Sequence, residues 1–227
     1  MNLSTSMQSV GAIRGGIDGS FARAVPTGFA QLDALLPCGG WPLGALTEIV
    51  IPHDCSGELQ LLLPALARMS RSNRWLALVA PPRVPDPRAL TAAQIDLTRM
   101  LLVHPRAHAD GLLAVEQSLQ AGTCAAVVAW PALLDSAAAR QLQRAAEIGG
   151  SCGWLFRPQG IMNAGRATAL CLRVLPTSVG VDVCVLQRSA RRWTDPVSLD
   201  LRLSQALPAR ASSVPSMPGA YSWQFSA

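Results

Sequence analysis

The chain predicts an α/β fold: a mostly parallel, twisted sheet with helices on both faces, extended on its C-terminal side by antiparallel strands. Three observations carry this prediction. Short, almost wholly apolar runs alternate with helical patterns up to about residue 158, as buried parallel strands do between crossover helices. The links between successive runs are long enough for such crossovers. Beyond residue 168 the texture changes to a period-two alternation of apolar with charged or amide side chains, the pattern of antiparallel strands.

The elements follow in order. Residues 45–51 (ALTEIVI) read as a strand, and 57–72 as a helix with Leu59, Leu62, Leu63 and Leu66 on one face and Pro64 inside it as a kink. WLALVA at 75–80 is a buried strand stopped by Pro81 and Pro82. Residues 89–96 suggest a helix, MLLV at 100–103 a strand, and 110–120 a helix closed by Gly122, where a left-handed cap is cheap. AAVVAW at 125–130 is a strand, 136–148 a helix with Leu142, Ala145 and Ala146 inward, and GWLF at 153–156 a strand. ALCLRV (169–174), VDVCVLQ (181–187) and VSLDLRL (197–203) form the antiparallel set. Residues 1–24, rich in Ser and Gly, and 204–227, rich in Pro, Ser and Ala, read as flexible ends around a core domain at 25–203.

Composition narrows the function classes. Half of the 227 residues are apolar, enough for a substantial core in one large domain. All 19 side chains of the Lys/Arg class are arginine, and the +5 balance favours polyanions or acidic partners without selecting either. Cys38, Cys55, Cys124, Cys152, Cys171 and Cys184 are scattered, with neither a CxxC pair nor zinc spacing, and read as reduced residues of a cytoplasmic protein. The N-terminus has no apolar stretch of signal length, and no uninterrupted run long enough to span a membrane follows.

Residues 25–52, VPTGFAQLDALLPCGGWPLGALTEIVIP, resemble the opening of the RecA recombinase core. That core carries a T-G-x-x-x-LD segment, a Gly-Gly-x-Pro-x-Gly turn and a strand with Glu-Ile running into the phosphate loop. Thr27, Gly28, Leu32, Asp33, Gly39, Gly40, Pro42, Gly44, Glu48 and Ile49 match in one register. Within the wider family the chain resembles the SulA/ImuA group of degenerate RecA-like proteins, through ALTEIV, LLLPAL, SNRWLALVAPP, LQAGTCAAVVAW and GWLFRP. The resemblance implies a RecA-like core over about 25–203.

A phosphate loop needs G-x-x-x-x-G-K-[ST]: glycines let backbone amides close round the phosphates, lysine neutralises them, and the hydroxyl ligates Mg²⁺. Here the first glycine is Pro52, Gly57 survives, Glu58 replaces the lysine and Leu59 the hydroxyl. The metal-orienting Asp falls at Ala129 or Trp130, and Ala80-Pro81-Pro82 stands where the water-activating Glu belongs. No enzyme activity and no cofactor are therefore expected.

Other constellations are weaker. His53, His104 and His108 lack a completing Cys or carboxylate, Pro105 interrupts the last two, and no metal site is expected. Gln31 to Leu36 resembles a sliding-clamp peptide, but its leucines belong to the core. Arg157, Asn163, Arg166, Arg191, Arg192 and Trp193 fall where a RecA-like core faces DNA, and are candidates for weak DNA or partner contact. Tyr221, Trp223 and Phe225 alternate in a tail of small residues, as does a segment that adds to a partner or folds back on its own core.

The resemblance implies a non-enzymatic accessory factor of SOS-induced translesion DNA synthesis. It would act with an ImuB-type polymerase relative, an error-prone C-family polymerase and RecA itself, and self-association is typical of such cores. The alternative is a SulA-like cell-division inhibitor that binds FtsZ.

Overall fold

The strand ALTEIVI, Ala45–Ile51, is buried along its whole length because it lies inside the sheet with a parallel neighbour on each side. The computed structural model describes residues 23–52, 58–159, 167–187 and 192–201. In chain order these form β1 (Ala24–Val25), α1 (Ala30–Leu35), β2 (Trp41–Pro42), β3 (Ala45–Ile51), a 3₁₀ turn (Glu58–Leu61) and α2 (Leu63–Ser70). Next come β4 (Trp75–Val79), α3 (Pro87–Ala92), a second 3₁₀ turn (Leu97–Arg99), β5 (Met100–Val103), α4 (His108–Gln120), β6 (Cys124–Ala129) and α5 (Ser136–Gly149). The last elements are β7 (Cys152–Pro158), β8 (Leu170–Pro176), β9 (Gly180–Gln187), β10 (Arg192–Trp193) and β11 (Val197–Asp200).

The expected fold class is present: a mixed α/β structure around a mostly parallel sheet. Strand order is β10-β9-β8-β3-β7-β6-β4-β5, with β11 also on β9. All pairs from β8 to β5 are parallel, and β9 pairs antiparallel with β8, β10 and β11. Each central strand divides its side chains by parity between two cores. Leu76, Leu78, Ala126, Val128, Trp154 and Phe156 join one with α2, where Trp41 and Trp154 meet edge to face at 5.7 Å. Ala77, Val79, Val127, Ala129 and Leu155 join the other beneath α4 and α5.

Two helices differ from expectation. The reading of 57–72 as one helix kinked by Pro64 is corrected: the chain makes a 3₁₀ turn and restarts as α2, with Pro64 in its first turn. There a proline's missing N–H is not needed. The helix expected at 89–96 is Pro87–Ala92, opened by Asp86, whose carboxylate accepts from the Arg88 amide. Asp96 instead starts the separate 3₁₀ turn, and bonds from the Thr98 hydroxyl and amide hold its carboxyl below the usual range. Gly122 behind α4 has φ +70°, the left-handed conformation expected of it.

The ends of α4 and α5 meet closely: a Cβ on Gly149 would lie 1.9 Å from the Leu119 carbonyl oxygen. Arg74, just before β4, ties this junction, donating to the carbonyls of Cys124, Gly149 (3.0 Å) and Gly150 (3.2 Å) and to the Ser151 hydroxyl (3.1 Å). No disulfide joins the described cysteines, and Cys124, Cys152, Cys171 and Cys184 are buried. Burial raises the Cys124 and Cys152 thiols above their ordinary range, so they stay protonated.

Candidate functional site

The corner where a phosphate loop would sit is built by β3, the turn at Glu58 and the ends of β6 and β7. Residues 53–57, including Gly57 and His53, lie outside the described residues. Pro52 ends β3, and Glu58 and Leu59 open the following turn, both half-buried. The Trp130 indole donates to Glu58 Oε1 at 3.1 Å and stacks on Phe156 at 5.2 Å and 22°. Thus the residues in the lysine and metal-carboxylate positions bond to each other. A carboxylate repels triphosphate, and neither an indole nor Leu59 ligates Mg²⁺, so these residues do not fit a bound nucleotide. Ala80, where a base would stand, has φ +53° and donates its amide to the Val103 carbonyl.

Replacing Trp130 with phenylalanine is expected to keep the stack on Phe156 and lose only the bond to Glu58. That should lower stability by about 1 kcal/mol in urea denaturation. A loss above about 3 kcal/mol would mean that the corner rests on the indole's shape rather than on the bond.

An open cavity of about 240 Å³ lies beside this corner, walled by Ala80, Pro105, Leu112, Ala129, Trp130 and Pro131. His104 and His108 are both exposed, and among the described residues no group of His, Cys, Asp or Glu could hold a metal ion. No described helix is long and apolar enough to cross a membrane.

Arg157 corrects the sequence reading. It was expected at a DNA or partner surface, but its side chain is 3% exposed and lies 3.5 Å from Glu48 Oε1, itself 1% exposed. It also donates to the Leu134 carbonyl at 3.2 Å. The reason is that β7 runs on to Pro158, so Arg157 shares the face of Leu155 beneath the loop before α5. Asn163, Arg166, Arg191, Tyr221, Trp223 and Phe225 lie outside the described residues. Arg192 pairs through its backbone with Gln187. Trp193 has the Arg173 guanidinium 5.0 Å from its ring centroid, an intramolecular partner for the ring expected to stack on bases.

The structure adds a surface that the sequence did not single out. β5 pairs only with β4 among the described residues, leaving its other edge open. Leu101 and Leu102 on that strand, Leu97 just before it and Trp75 at the start of β4 are all exposed, with Arg99 over the Trp75 ring at 5.9 Å. The sequence marks MLLV only as a strand; the strand order reveals it as an edge.

Three comparisons bear on this framework. A family model described as "Cell division inhibitor SulA" matches residues 44–153. The cell division inhibitor SulA of Serratia marcescens is 28% identical over 51% of this chain and 69% of its own length. RecA of Levilactobacillus brevis is 29% identical over 70% of this chain but only 44% of its own length. Among solved structures, SulA from Pseudomonas aeruginosa is 32% identical over 50% of this chain and 97% of that one, with a TM-score of 0.42. The central part of the chain is therefore similar to the SulA family, with a further similarity to RecA. The expectation of a translesion-synthesis factor has no such support, and the alternative of a division inhibitor is the better backed.

Proposed function

We propose that this chain is a non-enzymatic inhibitor of cell division that acts by binding FtsZ, through a surface centred on the open edge of β5. The observation that carries this reading is the match to the SulA model over 44–153. That stretch runs from β3 into β7 and contains Trp75, Leu97, Leu101 and Leu102. An exposed apolar edge strand is suited to pairing with another chain's sheet, where backbone bonds give affinity and side chains give selectivity. The bond between Glu58 and Trp130 supports action without nucleotide turnover.

A second reading rests on a separate observation. The likeness to RecA extends over 70% of the chain, more than the SulA match spans, and β1, α1, β2 and β8–β11 all lie outside that match. A RecA-like core used as a scaffold for translesion polymerases would draw on those parts.

Purified chain should suppress FtsZ assembly in a sedimentation assay, in proportion to its concentration, with ATP hydrolysis no higher than the blank. Leu101→Asp should weaken suppression about tenfold or more while the melting temperature falls by no more than a few degrees, because the described residues leave the side chain 44% exposed. Undisturbed FtsZ assembly, together with retention of an ImuB-type polymerase relative in a pull-down, would transfer the function to the second reading.

A further inference from the structure

We infer that the C-terminal aromatic segment, residues 221–225, adds to the open edge of β5 of its own chain as an extra strand, so that the protein carries a competitor for that edge. The regulatory part of this inference rests on the proposed role of β5 in partner binding; the docking itself does not.

The sheet supplies the first argument. At its far end the outer edge of β9 is taken by the short strands β10 and β11, which carry Arg192 and Asp200, whereas the other end is the wholly apolar β5, with no outer neighbour among the described residues. A four-residue apolar edge without a charge or proline is a liability that proteins usually cover. Leu101 pairs with Ala77 of β4 and so lies on the α4 and α5 face, while Leu102 lies on the opposite face. Each is about two-fifths exposed, at 44% and 36%, so an added strand would find apolar neighbours on both sides.

The tail supplies the second. In an extended segment Tyr221, Trp223 and Phe225 line one side and Ser222, Gln224 and Ser226 the other, the pattern of a strand with one buried face. No charged side chain occurs from Ala211 to the end, and the last proline is Pro218, so every later residue keeps its amide donor. Neither acidic nor basic steering is available, which suits an apolar edge better than a phosphate surface.

Reach supplies the third. The described chain ends at Leu201, next to β11, and eight inter-strand steps separate β11 from a strand added outside β5. At about 4.8 Å each this is roughly 38 Å. The 19 residues from 202 to 220 span up to about 65 Å when extended. The tail can therefore pass round the molecule with slack.

The test uses the full chain beside a full-length variant with Tyr221→Ser, Trp223→Ser and Phe225→Ser, followed by amide hydrogen exchange. The β5 amides should exchange at least tenfold faster in the variant, with the melting temperature lowered by a few degrees, as loss of a docked segment requires, and no dependence on protein concentration. A synthetic peptide of residues 218–227 added to the variant should restore protection. Equal β5 exchange in the two proteins would overturn the inference, and so would protection that grows with protein concentration, since a second copy would then cover the edge. In the FtsZ assay the variant should act at several-fold lower concentration; an unchanged dose would remove the regulatory part. If neither protein affects FtsZ, the proposed function fails while the β5 exchange result still decides the docking.

Discussion

Replacing Glu48 with alanine is expected to lower the folding free energy by about 3–5 kcal/mol, the range found when one member of a buried ion pair is removed. Glu48 sits in the middle of β3, flanked by β7 and β8, and Arg157 lies 3.5 Å away on β7, both almost fully buried. Without the carboxylate the guanidinium stays inside the protein, held by the Leu134 carbonyl, with its Nε without a partner among the described residues. A surface pair would contribute about 1 kcal/mol at most, so the size of the loss separates the two situations. The double variant Glu48→Leu with Arg157→Met removes both charges at similar volume and should recover most of the lost stability. Urea denaturation of the three variants measures this. A single variant within 1 kcal/mol of the parent would show that Arg157 escapes to solvent when its partner is lost.

The pair also shows where sequence reading stopped. A lone carboxylate in a seven-residue run that is otherwise apolar except for Thr47 demands a buried opposite charge, so ALTEIVI itself signalled a hidden partner. What the sequence did not disclose was that β7 lies beside β3, which turns Arg157 from a residue after a strand into one on its buried face. The alternation of strands and helices was legible because each strand is apolar on both faces, and most strand positions follow directly from that pattern. Strand order was not, and with it went the β5 edge: MLLV looks the same whether it has one neighbour or two. The break at Leu62 was also hidden, since Leu59, Leu62, Leu63 and Leu66 suit one continuous helix, yet Pro64 can only begin one. At the phosphate-loop corner each substitution was readable singly. The bond between Glu58 and Trp130 was not, because it joins residues 72 apart in the chain.

Arg74→Ala is the second large effect, expected to cost about 2–3 kcal/mol, or roughly 5–10 °C in melting temperature for a domain of this size. Its guanidinium serves the carbonyls of Gly149 and Gly150 at the end of α5, the Cys124 carbonyl where β6 begins, and the Ser151 hydroxyl before β7. The Gly149 and Gly150 carbonyls are acceptors that the helix end leaves over, and a cation there also complements the helix dipole. Burial pulls the guanidinium pKa down, and the group is only partly covered, which keeps the expected loss below that for Glu48. Arg74→Lys should recover less than half, because one ammonium cannot reproduce a planar fork that reaches two helix-end carbonyls and a strand end together. Recovery to the parent value would mean that charge alone matters. Arg74 adjoins Trp75 and the start of β4, which seats β5, so its loss should also weaken partner binding. Binding of Arg74→Ala should fall in step with the unfolded fraction and return at low temperature. Binding of Leu101→Asp should stay lost while the fold is intact, and that contrast separates a residue that holds the edge in place from one that meets the partner.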